Sequence, residues 1–231
     1  MSTSKFMLIG GREEDFEVAF DQPADVVCLD LEDTVPTVQK EKTRASVGAF
    51  IALGRNRQRR TAVRISPLST FDGLRDLLMM QQLEQPPYMV VLAKADSAQE
   101  VVLVRNLLHP VLGPFHLQPI IETALALGRV EQIASVPGIG SLSLGGKDLS
   151  ESLRVDRSWE SLQYARSRCA AAAAAAGVPI VDGPQSKETT PDELRVHCER
   201  LKALGYAGKS AVFAEHLPTI NGFWPSGPTA A

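Results

Sequence analysis

Two carboxylates, Glu122 and Asp148, have the types and spacing for chemistry. Leu117-Gln-Pro-Ile-Ile-Glu122 puts a glutamate where an apolar strand should finish. Ile139-Gly-Ser-Leu-Ser-Leu-Gly-Gly-Lys-Asp148 puts an aspartate just past the next strand. In parallel α/β folds, ligands bind at the carboxyl ends of the strands. Two anionic oxygen donors on neighbouring strands suit a hard divalent ion such as Mg2+. That ion is commonly held by one or two carboxylates, with water and substrate completing the octahedron.

Three further groups end apolar runs. Asp30-Leu-Glu32-Asp33 closes one of them, and three acids so close together must be solvated, paired or metal-linked. Alternation sends Asp30 and Glu32 to one side and Asp33 elsewhere; the plainer role for Asp33 is to cap a helix. Val63-Arg64-Ile ends the next run. A guanidinium there must find an anion, either a substrate carboxylate held bidentately or Glu32 or Asp33 of the chain itself. Lys94 ends Val-Val-Leu-Ala-Lys94. Such a lysine could be a Schiff-base nucleophile, but nearby acids would keep it a cation, which favours an electrostatic role.

Elements able to position these groups alternate along the chain. Short apolar runs fall at Phe6–Ile9, Asp25–Leu31, Thr61–Ile65, Tyr88–Lys94, Leu117–Ile121, Ile139–Leu144, Val178–Val181 and Lys209–Phe213. They are nearly continuous rather than alternating, as in parallel strands buried on both faces. Helical segments are expected at Val38–Leu53, Phe71–Leu83, Ser97–Leu108, Glu122–Ala134, Trp159–Ala176 and Asp192–Leu204. Ser97 and Thr190-Pro191 supply start signals for two of them. Eight such alternations predict a (β/α)8 TIM barrel forming a single domain over residues 1–231, with a doubly wound sheet as the alternative. Residues 225–231 read as a frayed tail.

The remaining composition narrows the function. The 231 residues are 44% hydrophobic and 22% charged with net charge −3, ordinary for a globular chain. That balance gives no general attraction to nucleic acid or anionic membranes. Three scattered cysteines, Cys28, Cys169 and Cys198, show no CxxC and point to a reducing, cytoplasmic setting. No signal peptide or membrane span is read. The alanine run at 170–176 is a helix former that permits close packing. Arg55-Asn-Arg57-Gln-Arg59-Arg60 falls on the barrel face opposite the chemistry and reads as a solvated loop.

An ordered set of motifs spans residues 6 to 226. It runs Asp30-Leu-Glu32-Asp33-x-Val, Lys40-x-x-x-Arg44, Val-Arg64-Ile, Lys94 with Asp96-Ser97, Ile-Glu122-Thr-Ala and Gly145-Gly146-Lys-Asp148-Leu. Gly177-Val-Pro-Ile-Val-Asp182-Gly183-Pro184, Gly208-Lys209 and Asn221-Gly-Phe-Trp-Pro-Ser follow. In this set the chain resembles the citrate lyase β-subunit-like branch of the HpcH/HpaI aldolase superfamily. The resemblance implies a barrel of the phosphoenolpyruvate/pyruvate type, usually oligomeric and often trimeric. It implies Mg2+ on Glu122 and Asp148, with Glu32 and Asp33 beside metal-bound water and Lys94 among the catalytic groups. Arg64 would bind the substrate carboxylate, and Gly146, Asp182, Gly183 and Pro184 would line the substrate. The implied reaction makes or breaks a carbon–carbon bond of a 3-hydroxyacyl thioester such as citryl-, malyl- or citramalyl-CoA, through a metal-stabilised enolate.

The chain departs from the family pattern in places. Ala93-Lys94-Ala95-Asp96-Ser97 replaces Pro-Lys-Val-Glu-Ser, and Val212-Phe213-Ala214 replaces Ile-His-Pro, with His216 three places on. The loop at Gly10-Gly11-Arg12 reads as shortened, and a C-terminal lid segment of longer relatives is not found. An oligomer is expected to cover the site, because Phe213, Phe223 and Trp224 crowd the C-terminal stretch. Rival readings are an aldolase for free pyruvate or oxaloacetate, a thioester hydrolase, and a non-catalytic barrel that binds an acyl thioester or a partner subunit. No dinucleotide fingerprint, P-loop, histidine metal spacing or nucleophile elbow is present.

Overall fold

The computed structural model describes residues 3–8, 13–53 and 60–225. Eight parallel strands pair in sequence order: β1 (Thr3–Leu8), β2 (Val26–Asp30), β3 (Arg60–Ile65), β4 (Met89–Leu92), β5 (His116–Ile121), β6 (Leu142–Leu144), β7 (Ile180–Asp182) and β8 (Gly208–Ala211). The last returns to the first through Thr3↔Gly208 and Phe6↔Ala211, so the sheet of this parallel α/β fold closes. Each of the eight apolar runs overlaps a strand, and five of the strands are shorter than the run. Ile139, for example, makes only an isolated bridge to Leu117 ahead of the three-residue β6.

Side-chain direction along the strands sorts the interior. One parity faces inward, where Val26, Cys28, Ala62, Met89, Val91 and Ile120 form a small inner cluster. The other parity faces the helices and joins a much larger apolar layer that includes Val27, Leu29, Val63, Val90, Ile121 and Leu144. This double burial is why the strands read as continuous apolar runs. All three cysteines are buried, and none is in a disulfide.

Helices lie between the strands: α1 (Glu13–Phe20), α2 (Lys40–Ala52), α3 (Phe71–Gln81), α4 (Ala98–Leu112), α5 (Ala124–Gly128), α6 (Val130–Ala134), α7 (Gly146–Leu153), α8 (Trp159–Ala176), α9 (Pro191–Ala203) and α10 (Leu217–Phe223). Thr70, Ser97, Thr123, Ser158 and Thr190 each accept a backbone N–H at a helix start, and Thr190 with Glu193 completes a capping box. Three expectations are corrected. The segment 122–134 is two short helices broken at Arg129, and Glu122 stays outside them. Helix α4 runs past Pro110 instead of stopping at Leu108. Asp148 lies in the first turn of α7, a helix not foreseen behind its two glycines.

Among the described residues, no helix is long and apolar enough to cross a membrane. In α8, Ala172 and Ala173 are buried, as close packing of the alanine run requires. The loop at 10–12, the basic stretch at 55–59 and the tail beyond Pro225 lie outside the described residues. The C-terminal aromatics form no exposed patch. Trp224 is buried and donates its Nε1–H to the Tyr206 carbonyl at 2.9 Å, while Phe213 and Phe223 are half-buried. Large exposed apolar side chains lie instead on α3 (Phe71, Leu74, Leu78) and α4 (Leu103, Leu107, Val111).

Candidate active site

A cavity of about 1050 Å³ opens at the carboxyl ends of the strands. Asp33, Arg64, Lys94, Glu122 and Asp148 line it, together with Gly146, Gly183 and Pro184. Further charges on its wall are Lys147, Glu151, Arg157, Lys187 and Glu188.

Arg64 and Asp30 sit side by side in the β2–β3 register. Arg64 donates Nε–H to Asp30 Oδ1 at 2.6 Å and Nη2–H to Oδ2 at 2.7 Å, and Nη1 lies 2.9 Å from Glu32 Oε2. Burial pushes the Asp30 carboxyl up, but the Arg64 charge, with Thr34 and the Glu32 amide, outweighs it and holds Asp30 below its ordinary value. Burial disfavours the Arg64 charge, but Asp30, Glu32 and Glu122 raise the guanidinium above its usual range. Asp30 is therefore the partner that orients Arg64, with Glu32 second; Asp33 is not involved. A guanidinium has five N–H donors, so Arg64 keeps donors for a ligand.

Lys94 ties the remaining acids together. Its Nζ lies 2.6 Å from Glu32 Oε1, 3.2 Å from Asp148 Oδ2 and 3.7 Å from Asp33 Oδ2. Its backbone N–H donates to Glu122 Oε1 at 2.7 Å. To reach both, the residue adopts φ +46°, a left-handed conformation uncommon outside glycine and often found at functional sites. Partial burial works against its charge, but Glu32, Glu122 and Asp148 more than offset this and keep it cationic. The same two cations favour ionised Asp148: burial raises its carboxyl, while Lys94 and Lys147 bring it below the ordinary value.

Glu122 behaves differently. Burial, reinforced by the charge of Glu32, pushes its carboxyl up to about 8 despite Arg64. Its Oε2 packs against Gly145, where a Cβ would come within 2.3 Å of that oxygen. The donor set has the chemistry of a hard-cation site. Ligand oxygens of Glu32, Asp33 and Asp148 all lie within 4.8 Å of one another. The expected pairing was Glu122 with Asp148. The structure groups Asp148 with Glu32 and Asp33, with Glu122 adjoining them through the Lys94 amide.

Asp182 is the expected ligand contact that the structure moves away. It does not line the cavity. On β7 it has the parity that faces the helices, beside Lys209 in register, so its carboxylate is buried in the strand–helix layer. The inward positions next to it are Val181 and Gly183. His216 is buried against the Phe213 ring and does not line the cavity either.

Supports that no sequence pattern assigned surround the site. Lys40 Nζ donates to the Leu31 carbonyl at 2.7 Å and the Glu32 carbonyl at 3.2 Å, fixing the end of β2. Arg44 donates to Asp76 and Asp72 of α3, and Asp76 in turn accepts the Ser66 N–H past the end of β3. The Lys40-x-x-x-Arg44 spacing is the signal that could have found them: both side chains lie one turn apart on the start of α2.

The family model for HpcH/HpaI aldolase/citrate lyase matches residues 7–214. The chain belongs to that family. Among HpcH/HpaI relatives, a (3S)-malyl-CoA thioesterase from Cereibacter sphaeroides is 29% identical over 216 residues, covering 92% of this chain and 73% of the relative. An L-malyl-CoA/beta-methylmalyl-CoA lyase from the same species is 27% identical over 249 residues, covering 96% and 78%. CitE from Mycobacterium tuberculosis, solved in complex with magnesium and acetoacetate, superposes with a TM-score of 0.83 at 24% identity, covering 100% of this chain and 93% of that one. That last likeness bears on the fold.

Proposed function

We propose that this HpcH/HpaI family member is a Mg2+-dependent carbon–carbon lyase acting on a small 3-hydroxyacyl-CoA thioester of the malyl or citramalyl class. One observation carries the reading. An anchored guanidinium, Arg64, and an acid cluster with the composition of a hard-cation site face one cavity at the strand ends. Relatives named as malyl-CoA lyase and thioesterase cover most of the chain, and the similar CitE fold was solved with magnesium. We take the barrel as a single domain of the phosphoenolpyruvate/pyruvate type and the protein as a cytoplasmic homo-oligomer, a trimer in preference, to be checked by light scattering.

In this mechanism Asp148 and Glu122 would hold the ion, with Glu32 and Asp33, whose oxygens group with Asp148, alongside. Bound Mg2+ supplies Lewis-acid stabilisation of the negative charge that develops on oxygen as the carbon–carbon bond breaks. The free donors of Arg64 hold the substrate carboxylate, and Asp30 keeps the guanidinium plane fixed while they do so. Lys94 adds positive charge near the acids without acting as a nucleophile, since its neighbours keep it protonated.

The deciding experiment incubates the purified protein with malyl-CoA, citramalyl-CoA, citryl-CoA, pyruvate and oxaloacetate, with Mg2+ or with a chelator, and identifies products by mass spectrometry. Acetyl-CoA and glyoxylate from malyl-CoA, lost on chelation, is the expected result. Free CoA with intact malate instead would assign the thioester hydrolase, the second reading, which the 29% identical relative favours. Turnover of free 2-oxo acids alone would assign the aldolase, and no turnover at all the binding barrel.

A further inference from the structure

A second group of charges lies outside the cavity, in the layer between strands and helices. Asp182, Lys209 and Arg166 are all buried there, with His197 beside them. Lys209 Nζ donates to Asp182 Oδ2 at 2.5 Å. His197 Nε2 lies 3.1 Å from the same oxygen. Arg166 Nε is 3.8 Å from Asp182 Oδ1, and its guanidinium stacks 4.7 Å from the Trp159 ring. Burying such a set is costly, and apolar side chains of similar volume commonly serve the fold as well or better. Elsewhere on β2 to β8, the described strand positions that face this layer are apolar except Thr61.

The partners of this group single out one segment. Lys209 Nζ also donates to the Gly183 carbonyl at 2.6 Å. Arg157 donates to the Pro184 carbonyl. His197 Nε2 meets Gln185 Nε2 at 3.0 Å. Of three consecutive residues, the first two carbonyls are thus each held by a cation, from β8 and from the loop before α8, and the third lies against the imidazole of α9. All three line the cavity. Gly183 is pressed so close to the end of β6 that a Cβ would lie 2.8 Å from the Leu144 carbonyl oxygen.

We propose that Lys209, anchored by Asp182, is a positioning residue: with Arg157 and His197 it mounts Gly183-Pro184-Gln185 as a fixed wall of the cavity, against which the ligand is bound. Lys209 itself touches no ligand. Its role in catalysis rests on the thioester reading above, whereas its role in holding the wall does not.

The test uses Lys209→Met, which keeps the length of the stem and removes the ammonium, and the double variant Lys209→Met/Asp182→Asn. The double variant removes the Lys209–Asp182 charge pair together and leaves an amide oxygen facing Arg166, which stays against the Trp159 ring, so it disturbs the layer less than the single variant, which strands Asp182. Amide hydrogen exchange is read by mass spectrometry without ligand. Exchange at 183–189 should rise by about tenfold or more in the double variant and stay within about twofold elsewhere. On the wild-type substrate, KM should rise about tenfold with kcat within about threefold, because binding is lost and not chemistry. Unchanged exchange at 183–189, or an equal rise over the whole chain, would overturn the proposal. A wild-type protein that turns over no thioester would overturn the functional reading alone, since the exchange result stands without it.

Discussion

Arg64 has five donors, and Asp30 takes two of them in a fork while Glu32 faces a third nitrogen. That geometry separates two things a lysine could do at this position. Arg64→Lys keeps the charge and loses the fork. One charge-assisted hydrogen bond to Asp30 disappears, so the variant should lose roughly 1.5–3 kcal/mol of stability, read from urea unfolding. Substrate affinity should fall about 100-fold, because the carboxylate and Asp30 then compete for one ammonium. A Lys variant that keeps affinity and loses only stability would make Arg64 a structural ion-pair partner. Asp30 and Glu32 both turn to Arg64, as alternation predicted although β2 ends at Asp30, whereas Asp33, expected elsewhere, joins Glu32 at the cavity. The parity of Asp182 was not legible in the sequence. Its strand is three residues long, its three neighbours in the layer come from 15 or more positions away, and Asp-Gly-Pro reads as a strand end whichever way the carboxylate turns.

Helix α7 shows why local signals failed at the site itself. Gly145 and Gly146 lower helix propensity, so the stretch reads as a loop. Gly145 is required for another reason: a Cβ there would lie 2.3 Å from Glu122 Oε2 and 2.6 Å from Glu122 Cβ. Gly145→Ala should therefore displace the Glu122 carboxylate while leaving α7 formed. We expect a loss of about 1–3 kcal/mol in stability and at least about 100-fold in kcat/KM. Helices with side-chain caps, by contrast, were legible from single residues such as Ser97 and Thr190. Helix α9 carries a pH-sensitive contact. Burial lowers the His197 imidazole below its ordinary value, although Asp182 works the other way. The native state thus prefers neutral His197, and the unfolded chain takes up the proton first as pH falls. Its contribution is complete above about pH 6.5 and is lost as pH drops below that. His197→Gln should flatten the loss of stability between about pH 7 and pH 5, measured as urea midpoints. An unchanged pH slope would place the acid sensitivity elsewhere.

At the scale of the whole molecule, the order of strands and helices was legible because eight parallel strands buried on two faces leave a repeated apolar signature. The roles of the supports were not: the Lys40-x-x-x-Arg44 spacing is visible in the sequence, but what Lys40, Arg44 and Asp76 hold shows only once α2, α3 and the ends of β2 and β3 are brought together. The charges on the cavity wall have a further consequence. Asp33, Glu122, Asp148, Glu151 and Glu188 line the cavity against Arg64, Lys94, Lys147, Arg157 and Lys187, and the further charges of Asp30 and Glu32 beside Arg64 would be offset by a bound Mg2+. A mouth so nearly balanced projects little net field into solvent, so it neither draws in nor turns away a charged molecule from a distance. Encounter with an anionic thioester should then be ordinary diffusion. Raising the salt from about 0.05 M to 0.3 M shortens the Debye length severalfold, yet kcat/KM should move by less than about twofold. A steep decline with salt would mean that attraction from other faces of the molecule guides the substrate in.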